Sequence, residues 1–169
     1  MRIIGMLLLA GALLGLTACG GPPWKDYPYP AQGFAAAFPA PPIVQSVPGA
    51  DAAHANAWYA EAKSGEGDFT VGVLDSAGST KSADQILNEV PDAIAQGGTL
   101  KLMTYTAVMA DKTPVMGRDF QVDKPGKPTL RARIFVYKNH VYEVVAISPK
   151  GPSDAPVTRF LDGFRLLAP

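Results

Sequence analysis

The sequence predicts an α+β protein, an antiparallel β-sheet with flanking helices. Three observations carry this. Leu130, Ala132, Ile134 and Val136 alternate with Arg131, Arg133, Phe135 and Tyr137, the period of two that sets neighbouring side chains on opposite sheet faces. The short connection Lys138-Asn139-His140 joins that run to another apolar run, Val141 to Ile147, as an antiparallel hairpin would. Two other segments place apolar residues at helical spacing, one after Ser82 and one after Ser153.

In chain order, Phe34, Ala36 and Phe38 share one face of a first strand, which Pro39, Pro41 and Pro42 stop. Ile43 to Val47 is a second extended run and Ala57 to Ala62 a third. Lys63 to Asp68 reads as a turn, and Phe69, Val71 and Val73 alternate along a fourth strand. Ser82 and Gln85 have capping-box spacing. Ala83, Ile86, Leu87, Val90 and Ile94 then form an apolar stripe, from which Pro91 lies apart; a proline there is expected to kink or split the helix. Gly97-Gly98 ends it. Leu100 to Ala110 and Pro114 to Val122 are further strands, with Asp123 to Pro128 as a turn. Ser153 opens the last helix, with Pro156 in its first turn, where proline is tolerated. Its apolar face is Val157, Phe160, Leu161 and Phe164.

The N-terminus has a different character. Met1-Arg2 precedes an apolar run, Ile3 to Leu16, interrupted only by glycine. It is shorter than the ~20 residues a spanning helix needs and reads as the apolar region of a signal peptide. Leu16-Thr17-Ala18-Cys19 resembles the lipobox of bacterial lipoproteins: an aliphatic residue, two small residues, then cysteine. The resemblance implies cleavage after residue 18 and thioether lipidation of Cys19, the only cysteine in the chain. Two or more acyl chains make a stable anchor where one does not. Gly20 stands where an inner-membrane retention signal would place aspartate. By resemblance to enterobacterial sorting rules, this favours the outer membrane, facing the periplasm. The expected organisation is a lipoprotein signal peptide at 1–18, a lipidated cysteine and Pro/Gly-rich tether at 19–32, and a single α+β domain at 33–169.

The tether contains four prolines and two glycines between Gly20 and Gln32. They are expected to exclude regular structure and to leave an extended segment with a reach of roughly 40 Å. Trp24, Tyr27 and Tyr29 within it suit either an interfacial or partner-binding strip or packing back onto the domain.

The strand and helix order resembles small bacterial exported proteins with a PsbP-like fold, the fold of an extrinsic photosystem II subunit. The residues that carry the likeness are Gly33-Phe34, Phe38-Pro39 and Pro42, the long middle helix, the hairpin from Arg131 to Ile147, and Arg159-Phe160-Leu161-Asp162-Gly163-Phe164-Arg165. The likeness spans nearly all of 33–167. It implies a PsbP-like α/β sandwich and, since known relatives are mostly binding or assembly proteins, a binding role. Nothing ties the chain to photosynthesis.

Composition narrows the chemistry. The whole chain carries a formal charge of zero, with no basic stripe to read nucleic acid. Lipidation of Cys19 leaves no thiol for catalysis, disulfides or metal binding. The two histidines, His54 and His140, stand far apart in sequence, with His140 expected in a hairpin turn. No metal site or cofactor is expected. The chain has no G-x-S-x-G elbow, P-loop, G-x-G-x-x-G or H-E-x-x-H. Asp119 and Asp123 share a strand, which does not by itself make an acid–base pair.

One constellation stands out. Arg131, Arg133, Phe135 and Tyr137 share a strand face that Tyr142 can join, and such a face can stack on and hydrogen-bond a ligand or partner peptide. The other reading is a solvent-facing or helix-covered face, with ion pairs to Asp119 or Glu143. The expected partners are the membrane, through the N-terminal lipid, and an envelope protein. The expected function is a non-catalytic, membrane-anchored periplasmic lipoprotein that binds a partner protein or small ligand. The competing class is an envelope hydrolase with a site of dispersed Asp, Ser and His residues.

Overall fold

A seven-stranded antiparallel sheet forms the frame. The computed structural model describes residues 24–49 and 56–167; the signal sequence, Cys19 and His54 lie outside the described residues. The strands are β1 (Lys25–Tyr29), β2 (Phe34–Phe38), β3 (Ile43–Val47), β4 (Ala57–Ser64), β5 (Gly67–Asp75), β6 (Thr99–Ala110), β7 (Thr113–Asp123), β8 (Leu130–Tyr137), β9 (His140–Ile147) and β10 (Arg165–Leu166). The helices are α1 (Ala83–Ile94) and α2 (Ala155–Asp162). The large sheet has the order β3-β4-β5-β9-β8-β7-β6, and β1, β2 and β10 form a second, three-stranded sheet. Every pairing is antiparallel.

The alternation in β8 divides the core. Ala132 and Ile134 face α1 with Phe120 and Val122, closed over by Leu87 and Ala95. Phe135 belongs to the other layer, with Phe69, Val71, Tyr142 and Val144 of the large sheet. Phe34 and Phe38 of the small sheet and Val157, Phe160 and Leu161 of α2 pack onto them. Aromatic rings dominate this second layer: Phe164 stacks on Phe135 at 5.6 Å, and Phe160 meets Phe38 and Phe69 at 5.3 and 5.2 Å. Aromatic pairs at such separations add stabilisation beyond their buried area.

Several elements differ from the sequence reading. The stretch expected to be a tether contains β1, which pairs residue by residue with β2 from Lys25↔Phe38 to Tyr29↔Phe34. Pro28 is accommodated because β1 is an edge strand, where no ladder donor is required of it. Trp24, Tyr27 and Tyr29 pack back onto the aromatic layer. A short 3-10 turn, Pro30–Gln32, ends at Gly33 with φ +73°. A side chain at Gly33 would be strained and would meet the Tyr142 hydroxyl at 2.9 Å. The body therefore includes Trp24 to Gln32, with a second sheet over the first.

The capping box forms: the Gln85 N–H donates to Ser82 Oγ, and the Ser82 N–H donates to Gln85 Oε1. Helix α1 runs unbroken through Pro91, which is buried rather than set apart from the stripe. It follows Leu87 by one turn and packs on the same side, and its missing N–H leaves the Leu87 carbonyl without that intrahelical donor. Helix α2 is capped by Asp154, one residue after the expected Ser153. His140 pairs with Tyr137 as the first residue of β9, not as part of the turn, which is only Lys138-Asn139. Among the described residues, no helix is long and apolar enough to cross a membrane.

Candidate functional site

The face predicted to carry a ligand lies on the aromatic side of β8, where α2 and β2 cover much of it. Strand register fixes its geometry. Arg133 of β8 pairs with Asp119 of β7, and Arg131 lies one alternation away. Asp119 is buried and accepts from both guanidiniums: Arg131 Nε and Nη2 at 3.0 and 2.9 Å, and Arg133 Nε at 2.8 Å. Burial opposes the charge on Asp119, yet the hydrogen bonds from Arg131 and Arg133 outweigh it and hold the carboxyl below its usual range. The same contact raises Arg131 further. Arg133 Nη1 turns to the end of α2, donating to the Leu161 carbonyl at 3.0 Å and pairing with Asp162 at 2.8 Å.

The aromatic half of this face is also engaged. Phe135 is buried beneath Phe164. The buried Tyr142 hydroxyl donates to the Gln32 carbonyl at 3.0 Å, and burial pushes its pKa up to about 12. Tyr137 is half-buried with Lys138 Nζ over its ring at 5.2 Å. Arg131, Arg133, Phe135 and Tyr142 therefore lie at the joint between sheet and cover. Asp119 is one of the two expected ion-pair partners; Glu143 lies on the opposite face, level with Ile134. Asp119 and Asp123 are separately engaged, Asp123 by Lys101 and Thr129.

Two concavities lie among the described residues. One, of about 330 Å³, lies beside Arg133 and Phe135 and is closed by Val108 and Met109 of β6 and by Asp162 and Arg165. Nothing in the sequence pattern pointed to β6 as its wall, because the contact is made only when the long β6–β7 hairpin folds past the end of β8. The other, of about 350 Å³, lies at the opposite edge and is lined by Gln32, Ser46, Asn56, Trp58, Asp75 and His140 among others. It brings a serine, an aspartate and a histidine to one wall. No hydrogen bond joins the three side chains, and Asp75 Oδ1 instead accepts from the Ala77 N–H at 2.9 Å. Among the described residues, no group of three His, Cys, Asp or Glu side chains is placed to hold a metal.

Comparison with solved structures fits this architecture. The solution structure of cyanobacterial PsbP (CyanoP) from Synechocystis sp. PCC 6803 aligns with a TM-score of 0.54, covering 92% of this chain and 99% of that one at 13% identity. The fold is PsbP-like. A protein of unknown function from Pseudomonas aeruginosa covers 76% of this chain and 85% of its own at 12% identity, with a TM-score of 0.39, too loose a likeness to argue from. No family model matches the chain, and no curated protein matches it in sequence. At these identities the PsbP-like likeness speaks to fold alone. Two helices flank the large sheet, but most of the body is sheet, and the second, three-stranded sheet shares the cover.

Proposed function

We propose that this protein is a membrane-anchored periplasmic lipoprotein, lipidated at Cys19, that binds a partner protein or small ligand at the cell envelope without catalysing a reaction. The observation that carries this is Leu16-Thr17-Ala18-Cys19 at the end of a short apolar run, with Cys19 the only cysteine in the chain. Gly20 favours the outer membrane. The two concavities are the sites offered to a small ligand.

The test is metabolic labelling with palmitate followed by mass spectrometry of the mature N-terminus. Wild-type protein should carry label and begin at an acylated Cys19, whereas Cys19→Ser should remain unlabelled and unprocessed. Label persisting in that variant refutes the reading. The hydrolase alternative has one observation in its favour, the shared wall of Ser46, Asp75 and His140. Turnover of a generic ester or glycan substrate that His140→Ala abolishes would establish it. The missing hydrogen bond between nucleophile and base makes it the weaker reading.

A further inference from the structure

We propose that the surface formed by the strand ends around Trp24 rests on the lipid headgroup layer, so that the opposite end of the sheet is presented to soluble partners. This rests on the lipoprotein reading above.

Reach is the first support. Trp24 is five residues beyond Cys19 in the sequence, and five extended residues span at most ~18 Å. Nor is Trp24 the start of a loose leash. Its Nε1 donates to Glu66 at 3.0 Å, its ring meets Phe69 at 5.2 Å, and β1 is laddered to β2 directly after it. Whatever fixes Cys19 in a bilayer thus holds the whole body close, at this end.

Chemistry is the second support. Register sets Asp68 beside Ile147, Ile147 beside Leu130 and Leu130 beside Val122. The loops that follow these strand ends therefore gather at the end where Trp24 packs. Exposed Lys25, Lys127 and Lys150 come to it from three separate segments. Among the carboxylates at this end, Asp123 is paired with Lys101 and Thr129, whereas Asp68, Glu66 and Asp154 keep their charge beside the lysines, Glu66 accepting from Trp24 and Asp154 from Ser148 and the Ala155 N–H. Charges interact over a Debye length of ~10 Å at 0.1 M salt, so these lysines meet headgroup phosphates when the five-residue link is drawn in well short of its ~18 Å maximum. The occupant is a phospholipid surface. At ~3.3 Å per residue, β5 alone carries the far end of the sheet roughly 30 Å from this surface. That end holds the Asp75–His140 concavity and the β6–β7 turn.

Because Cys19 is the only native cysteine, acylation leaves an introduced cysteine as the sole thiol. Lys127→Cys, Lys150→Cys and Lys112→Cys proteins, the last in the β6–β7 turn, are labelled with a fluorophore. They are then reconstituted into phosphatidylethanolamine–phosphatidylglycerol vesicles carrying a headgroup quencher. Mass spectrometry of each sample reports acylation first, and an unacylated N-terminus refutes the lipoprotein reading and this proposal with it. In acylated protein, quenching at 127 and 150 is expected to exceed that at 112 by roughly threefold or more, given the ~30 Å length of the sheet. Equal quenching at the three positions, or stronger quenching at 112, overturns the orientation while leaving the anchor intact.

Discussion

Asp119 and Glu143 are both part-buried carboxylates on central strands of one sheet, yet they sit on opposite faces and meet opposite fates. Asp119 lies between two guanidiniums on the aromatic side, which keep it charged at lower pH than an ordinary carboxyl. Glu143 lies on the α1 side, level with Gly72 and Ile134, and burial alone raises its pKa. Gly72 makes room there: a Cβ at that position would lie 3.0 Å from the Tyr59 ring and 3.5 Å from Glu143 Oε2. The contrast shows that burial does not decide whether a charge stabilises a sheet; the donors across the strand do.

Removing Asp119 should have the largest effect. Asp119→Ala strands two part-buried guanidiniums and should cost about 3 kcal/mol, read as a lowered urea midpoint with an unchanged slope. A loss below about 1 kcal/mol would show that solvent already screens the cluster. Tyr142→Phe removes a single hydrogen bond to the Gln32 carbonyl and should cost about 1 kcal/mol. Glu143→Gln should have the smallest effect and the opposite sign, a gain of about 0.5 kcal/mol at pH 7.

The pH profile separates the two carboxylates further. The folded pKa of Asp119 is depressed, so its stabilisation is present above the unfolded value near 4 and fades as pH falls through the lower folded value. The folded pKa of Glu143 is raised, so its ionisation costs stability above that folded value, and the cost is relieved as pH falls toward the unfolded value. Wild-type protein should therefore gain slightly on mild acidification and lose at stronger acidity. Glu143→Gln should abolish the first arm and leave the second, as followed by thermal melts across pH 3–7.

Local chemistry was the part of the fold that could be read from sequence. The Ser82–Gln85 box and the stripe through Ile86 and Leu87 depend on neighbours within a turn, and they formed as read. The alternation in β8 correctly grouped Arg131, Arg133 and Phe135. What lies on top of that group was not legible, because its cover comes from residues 34–38 and 157–164, and no spacing rule links those to 131–135. The faces of Tyr142 and Glu143 depended on one residue of turn length. A two-residue turn, with Tyr137 opposite His140, puts Tyr142 on the arginine side; a three-residue turn would have put Glu143 there. Strand β1 was hidden by Pro28 and the prolines on either side of the strand, although Tyr27 and Tyr29 carry a period-two signal. Strand β10 is two residues long, too short for any period to show.

The place of β2 has a consequence for how the molecule is made. It lies between β1 and β10, so its two neighbours are about 140 residues apart in the chain, and Arg165 reaches across it to Asp26, 139 positions away. A chain emerging N-terminus first can form the β8–β9 hairpin early, but it cannot flank β2 on both sides until residues 165 and 166 arrive. Completion of the smaller sheet is thus a late, long-separation event, and it acts as a check that the chain has been made as far as residue 166.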